Sequence, residues 1–152
     1  MLQNFRYNLV KYLIGSLPPI MAQRIRALLY PRGSAYLDDI SFEVRACTGS
    51  ILRSRTSEFH GYPFSIHGYY EWRLLTCALA TISEEQSIIE IGANIGTETV
   101  SFIDIVSSEG RVIAFEPFPD HVKSLEKLNM WGCLAKHLKE PPKIWQNAQK
   151  LF

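Results

Sequence analysis

Two carboxylates and two glycines fall at distances that suit a nucleoside ligand: Glu90, Gly92 and Gly96 in Glu90-Ile91-Gly92-Ala93-Asn94-Ile95-Gly96-Thr97-Glu98, then Glu116 twenty residues after Gly96. Glu90 lies at the end of one short apolar run, Ile88 to Ile91, and Glu116 closes a second, Val112 to Phe115. Between a strand and a helix, a glycine turn lets the backbone approach a ligand closely because no Cβ intrudes. A carboxylate ending the next strand can accept a hydrogen bond from each ribose hydroxyl, and about twenty residues past the glycines is the expected spacing.

Charge narrows the choice of nucleoside. A dinucleotide site sets pyrophosphate over the turn, uses Gly-x-Gly-x-x-Gly and aims no carboxylate at the anion. Here the glycines read Gly-x-x-x-Gly and Glu90 stands at the strand end. A carboxylate in that place repels pyrophosphate and suits a cationic ligand, such as the amino group and sulfonium of S-adenosylmethionine. The same features oppose a nicotinamide-dependent oxidoreductase, and the missing Gly-Lys-Ser/Thr ending excludes a P-loop.

Ile89-Glu90-Ile91-Gly92-Ala93-Asn94-Ile95-Gly96, with Ala114-Phe115-Glu116-Pro117 after it and Gly68-Tyr69-Tyr70-Glu71 before it, resembles the FkbM-type family of S-adenosylmethionine-dependent methyltransferases over roughly residues 67 to 130. The resemblance implies a Rossmann-like α/β methyltransferase fold, with Glu90, Gly92, Ala93, Asn94, Gly96 and Glu116 binding the cofactor. Glu90, Gly92, Asn94 and Gly96 would line its methionine half and Glu116 would hold the ribose. It also implies methyl transfer to a small acceptor, a sugar hydroxyl or similar, with the sulfonium as leaving group. The family often carries Asp at the position of Glu90. Such a fold normally has seven strands, and 36 residues follow Glu116, so the expectation is an incomplete form that keeps the first βαβα portion. The competing expectation is a non-catalytic remnant or cofactor-binding module without an acceptor site, whose first strand would show an unpaired apolar edge.

The elements that must position these residues are legible to different degrees. Leu2, Phe5, Leu9, Tyr12 and Leu13 fall near one face of a helix over residues 2 to 14, and Pro18-Pro19 open a second helix that Pro31-Arg32-Gly33-Ser34 should stop. Phe42, Val44 and Ala46 alternate with Glu43 and Arg45, and Thr48-Gly49-Ser50 turns the chain into Ile51-Leu52, which reads as a hairpin. Arg53 to Gly68 has no clear period and is expected as a loop, with a short strand at Tyr62 to Ile66 and a share in acceptor contacts. Tyr70 to Ile82 reads as an amphipathic helix with Trp72, Leu75, Leu79 and Ile82 inward. A short buried strand at 88 to 91, a helix over 95 to 106 with Thr99, Ile103 and Val106 inward, and a strand at 112 to 115 should form a parallel βαβ unit. A helix after Pro119-Asp120, with Val122, Leu125 and Leu128 inward, should end near Gly132. Cys133 to Leu138 fits a short strand or helix, and Ile144 to Phe152 a last helical turn or two. Four regions result: a basic helical segment over 1 to 37, a hairpin and loop region over 38 to 68, the Rossmann-like core over 69 to 132, and a tail over 133 to 152.

Bulk composition excludes several classes. With 152 residues, a hydrophobic fraction of 47% and a net charge of +1, the chain fits one ordinary globular domain without the basic field that nucleic acid demands. Cys47, Cys77 and Cys133 are odd in number and widely spaced, against a disulfide scaffold or a zinc site and in favour of a reducing cytosol. No apolar run approaches the roughly 20 residues of a membrane span. Arg6, Lys11, Arg24, Arg26 and Arg32 nevertheless precede the first acid, Asp38. Peripheral contact of residues 1 to 30 with an anionic membrane therefore stands beside the plainer expectation that these helices pack on the domain.

No general base is identified. His60 and His67, near Arg53 and Arg55, are candidates for acceptor binding or base chemistry, but the plainer reading is solvated loop histidines. His121 and His137 read as surface helix residues. Tyr70 and Glu71 are equally suited to covering the cofactor and to capping a helix. Metal-ligand spacings and hydrolase motifs are absent from the sequence.

Overall fold

A computed structural model describes residues 5–106, 108 and 110–126, together with the backbone of 2–4 and 133–137. The architecture is mixed α/β. Helices α1 (Leu2–Ile14), α2 (Pro19–Leu29) and α3 (Arg32–Asp38) precede an antiparallel hairpin of β1 (Ser41–Arg45) and β2 (Ile51–Arg55), then α4 (Gly61–His67) and α5 (Trp72–Thr81). From there β3 (Ser87–Ile91), α6 (Thr99–Val106), β4 (Arg111–Glu116), α7 (Pro119–Glu126) and β5 (Cys133–His137) alternate. The three strands form a parallel sheet in the order β3-β4-β5, with Glu90 opposite Ala114 and Glu116 opposite His137.

The parallel βαβ unit expected from the spacing of the two apolar runs is present. Of the two options for residues 133 to 138, the strand is the one formed, so His137 lies in β5 and not on a helix. Leu128, Gly132 and the expected C-terminal helical turns lie outside the described residues.

Other expectations are corrected. On α1 the buried side is Tyr7, Val10 and Ile14, whereas Phe5, Leu9, Tyr12 and Leu13 face outward. Both sets have helical spacing, and a polar partner favours the first: the Tyr7 hydroxyl donates to the Ser65 carbonyl at 2.8 Å within the core. The second helix does end before Pro31, at Leu29, but Pro31 then caps a further helix, since α3 begins at the next residue. Tyr62 to Ile66 is helical. Pro63 falls in the first turn of α4, where a backbone N–H would have no intrahelical partner, and Gly68 ends the helix in the left-handed region. Gly61 to Ile66 are all buried, so the segment has no polar face and hence no readable period.

Helix α5 starts at Trp72 and buries only Ala78, leaving Leu79 exposed. The helix after the glycine turn starts at Thr99, four residues later than expected, because the turn itself extends through Glu98. Its expected inner residues Thr99, Ile103 and Val106 are buried. Strand β3 is not buried: it is one of the two sheet edges among the described residues, with Ile89 64% and Ile91 57% exposed.

Helix α4 joins the parts. Tyr62 and Ile66 pack with Tyr7, Val10, Ile14, Ala22 and Tyr30, and Phe64 packs with Phe42, Val44, Leu52 and Val100 of the hairpin and α6. On its other side α6 sets Phe102, Ile103 and Val106 against Ala78 and Val112. Asp104 of α6 ties down the hairpin turn, accepting from the Thr48 hydroxyl at 2.7 Å and the Ser50 amide at 2.8 Å.

Candidate cationic cofactor site

The site begins where β3 ends. Gly92 at φ +84°, Asn94 at +53° and Gly96 at +91° put three left-handed positions into five residues, which folds the backbone into a compact turn. A Cβ built on Gly92 meets nothing within 4 Å, so backbone conformation requires glycine there, and the space beside it is open. Asn94 tolerates its conformation by a local bond, its side-chain oxygen accepting from the Ile95 amide at 2.8 Å. The amides of Gly92 and Ala93 donate to the Phe115 carbonyl at 2.8 and 3.1 Å, fastening the turn to the end of β4. The Ala93 side chain is buried against Ala114 and Leu125, so this residue offers a ligand no side-chain contact.

Glu116 is the main clasp of this arrangement. Its Oε2 accepts from the Asn94 amide at 2.7 Å and its Oε1 from the Phe118 amide at 2.9 Å, in a residue only 3% exposed. Both oxygens thus hold the two loops together, and each keeps a second lone pair for another donor. His121 brings Nδ1 to 3.6 Å from Glu116 Oε1, too long for a hydrogen bond but within ion-pair reach when the ring is protonated. His121 is therefore beside the glycine turn and not a plain surface helix residue.

Glu90 points toward α6 and accepts from the Thr99 hydroxyl at 2.6 Å. Burial pushes its pKa from 4.5 up to about 7, the Thr99 bond opposes the rise, and the carboxylates of Glu98 and Glu116 add to it. Glu98 is raised chiefly by burial as well, with bonds from the Thr97 hydroxyl and the Glu71 amide working against the rise. The turn therefore gathers three carboxylates, and among the described residues none of them pairs with a lysine or arginine.

One wall is aromatic. The His60 ring stacks on Tyr70, centroids 3.9 Å apart at an interplanar angle of 17°, and its Nδ1 lies 3.4 Å from the Thr97 hydroxyl. Burial lowers the pKa of His60, the positive charge of His121 lowers it further, and Glu116 opposes both, so the ring is neutral near pH 7. His60 is the N-cap residue of α4, not a solvated loop histidine. His67 is also no solvated side chain: it stacks on Tyr69, and burial followed by the charge of Arg26 drives its pKa down to about 3. Glu71 caps α5, accepting from the Arg73 amide at 3.4 Å, while Tyr70 lines a narrow crevice with Thr97 and Glu98.

Arg53 and Arg55 are committed to the hairpin, bonded to Glu43 at 2.6 Å and Asp39 at 2.5 Å. They line an open cleft of about 1230 Å³ between the hairpin and α7, with Ile95 and His121 also on its walls. The expected acceptor loop is thus the end of β2 followed by α4. Among the described residues no cluster of His, Cys, Asp and Glu could hold a metal ion.

Sequence reasoning placed Glu90, Gly92, Asn94, Gly96 and Glu116 together, and the structure brings them to one turn. It missed Glu98, Thr99, His60 and His121 as members of the same group. The polar run Thr97-Glu98-Thr99 before an apolar helix reads as an ordinary helix opening, so only a carboxylate already suspected at Glu90 could have drawn attention to a second one. The two histidines come from distant segments, and nothing local marks them.

Neither a family model nor a curated protein matches the chain. Among solved structures, it is similar to a protein-L-isoaspartate O-methyltransferase at 14% identity and a TM-score of 0.36, over 89% of this chain and 41% of that one. The chain thus spans less than half the length of that structure, and a likeness at this distance carries no argument about activity.

Proposed function

We propose that the turn between β3 and α6 binds S-adenosylmethionine, and that the chain serves methyl transfer to a small hydroxyl acceptor of the sugar class within a Rossmann-like methyltransferase fold. The observation that carries this reading is the set of three carboxylates, Glu90, Glu98 and Glu116, gathered around a glycine turn without, among the described residues, a lysine or arginine to neutralise them. With its pKa raised to about 7, Glu90 is partly protonated near neutral pH, and a bound cation would favour its ionised form, so the cluster discriminates against pyrophosphate and for an ammonium or sulfonium. The bound cofactor would supply an activated methyl group and a neutral leaving group. Glu90 and Glu98 would face its cationic end, Gly92 and Gly96 would leave room for it, and Glu116 would use its spare lone pairs on the ribose.

In-line displacement needs alignment, exclusion of water and a destination for the acceptor's proton. His60 is suited to receive that proton, being neutral near pH 7, oriented by Tyr70 and Thr97, and close enough to feel both Glu116 and His121. The test is calorimetric titration of the chain with S-adenosylmethionine, then of Glu90→Gln. Loss of binding in the variant supports the reading, and equal affinity of the two proteins refutes it.

A second reading, a cofactor-binding module without turnover, is favoured by the exposed edge of β3. Among the described residues β3 lies at an edge of the parallel sheet with Ile89 and Ile91 exposed, as the expectation of a module without an acceptor site required. Cofactor binding without methyl transfer to any of a panel of sugars would favour it.

A further inference from the structure

The N-terminal helices are apolar on two sides, and only one side is used by the fold. On α1, Tyr7, Val10 and Ile14 enter the core, whereas Phe5, Leu9, Tyr12 and Leu13 repeat at i, i+4, i+7 and i+8 on the opposite side. On α2, Ala22 is buried while Ile20, Met21 and Leu28 flank the exposed Arg24, and α3 adds Tyr36 and Leu37. Phe5 is 67%, Tyr12 83%, Leu28 79% and Leu37 80% exposed. The first two helices lie side by side, since Arg6 Nε donates to the Leu29 carbonyl at 2.9 Å. Ten large apolar side chains exposed within 33 residues, Phe5 to Leu37, exceed the single exposures that any soluble surface shows.

Charge indicates what covers them. The segment carries Arg6, Lys11, Arg24, Arg26 and Arg32 and no acid before Asp38. Among the described residues none of these five is ion-paired with a carboxylate. Lys11 and Arg26 are partly buried over the rings of Tyr7 and Tyr62, whereas Arg6, Arg24 and Arg32 are exposed and carry the positive charge of this surface. A second copy of the chain would bring the same positive face and be repelled. An anionic bilayer offers both a negative surface and an apolar layer beneath it. No helix among the described residues is long and apolar enough to cross a membrane. We propose that α1, α2 and α3 form a peripheral docking surface for an anionic lipid bilayer, with Phe5, Tyr12, Leu28 and Leu37 entering the interface and the exposed Arg6, Arg24 and Arg32 facing the headgroups.

The full chain should sediment with vesicles of phosphatidylcholine mixed with phosphatidylserine, and far less with phosphatidylcholine alone. Added salt should weaken the binding. Replacing Phe5 and Leu28 by serine should lower the partition coefficient by roughly tenfold for each side chain, with an unchanged circular dichroism spectrum because neither belongs to the core. Three results would overturn the proposal: no sedimentation of the folded wild-type chain with either vesicle, equal partitioning of the double variant, or a wild-type dimer that ignores vesicles and that the double variant dissociates.

Discussion

Replacing Glu90 by glutamine should make the protein more stable and deprive it of its ligand. The folded chain holds the Glu90 pKa at about 7 against 4.5 for an ordinary glutamate, chiefly through burial. Below the lower value both folded and unfolded chains carry the proton, and the group contributes nothing. Between the two values the unfolded chain releases the proton while the folded chain keeps it, so stability falls as pH rises through this window. Above the upper value the carboxylate is buried in charged form at the full cost of the shift, about 3 kcal/mol for a displacement of this size. Glutamine keeps an oxygen for the Thr99 hydroxyl, which donates to Glu90 at 2.6 Å, and never ionises. The stability of Glu90→Gln minus that of the wild type should therefore grow by about 2 to 3 kcal/mol between about pH 5 and about pH 8, on top of any constant offset. Urea denaturation at the two pH values, with matched m-values, measures it. A difference that does not change with pH refutes the buried, cation-seeking carboxylate on which the site reading depends.

Other perturbations probe the frame around the turn. Glu116→Ala leaves the Asn94 and Phe118 amides without their acceptor and should cost about 3 kcal/mol in the same denaturation; a loss below about 1 kcal/mol contradicts the clasp. Asp104→Ala removes the acceptor of the Thr48 hydroxyl and the Ser50 amide and should cost about 2 kcal/mol. Amide exchange should then show the Ser50 N–H losing protection, and unchanged protection counts against the tie. Gly68→Ala imposes a Cβ at φ +75°, 2.8 Å from the Arg45 carbonyl, and should lower the midpoint of thermal unfolding by the equivalent of about 2 kcal/mol. An unshifted midpoint would show that α4 ends differently.

What could be read from the residues, and what could not, follows from the range of the forces involved. The glycine turn and the strands on either side of it are local, and their spacing fixed both the parallel pairing and the meeting of Gly92 and Gly96 with Glu116. The hairpin was legible from Ser41 to Leu52 for the same reason, since period-two alternation is a property of consecutive residues, whereas Arg53 to Arg55 continue β2 where a loop is expected. Helix α4 was not, because a helix buried on all sides has no polar face, and its signals, Pro63 in the first turn and Gly68 at the cap, are punctuation without a pattern. On α1 two apolar faces have equal helical spacing, so only the tertiary bond from Tyr7 to Ser65 distinguishes inside from outside. The exposure of Ile89 and Ile91 is likewise a property of the sheet and not of β3.

Within the site, charge reasoning identified Glu90 as an unusual carboxylate, whereas the rise of its pKa comes from its burial and from Glu98 and Glu116 beside it, which the sequence alone does not show. The engagement of both Glu116 oxygens by backbone amides could not be anticipated, because it depends on Asn94 and Phe118 arriving from different loops. His60 and His121 join the group only through the packing of α4 and α7. Their apparent isolation in the sequence made them read as solvent-facing.

The most direct test of the central claim is calorimetric titration of the wild-type chain with S-adenosylmethionine across the Glu90 transition. Binding a cation requires the ionised carboxylate, so a pKa of about 7 predicts affinity rising about tenfold from about pH 6 to about pH 8, with proton release in between. No heat of binding up to about 1 mM ligand, or an affinity that ignores pH, would contradict it.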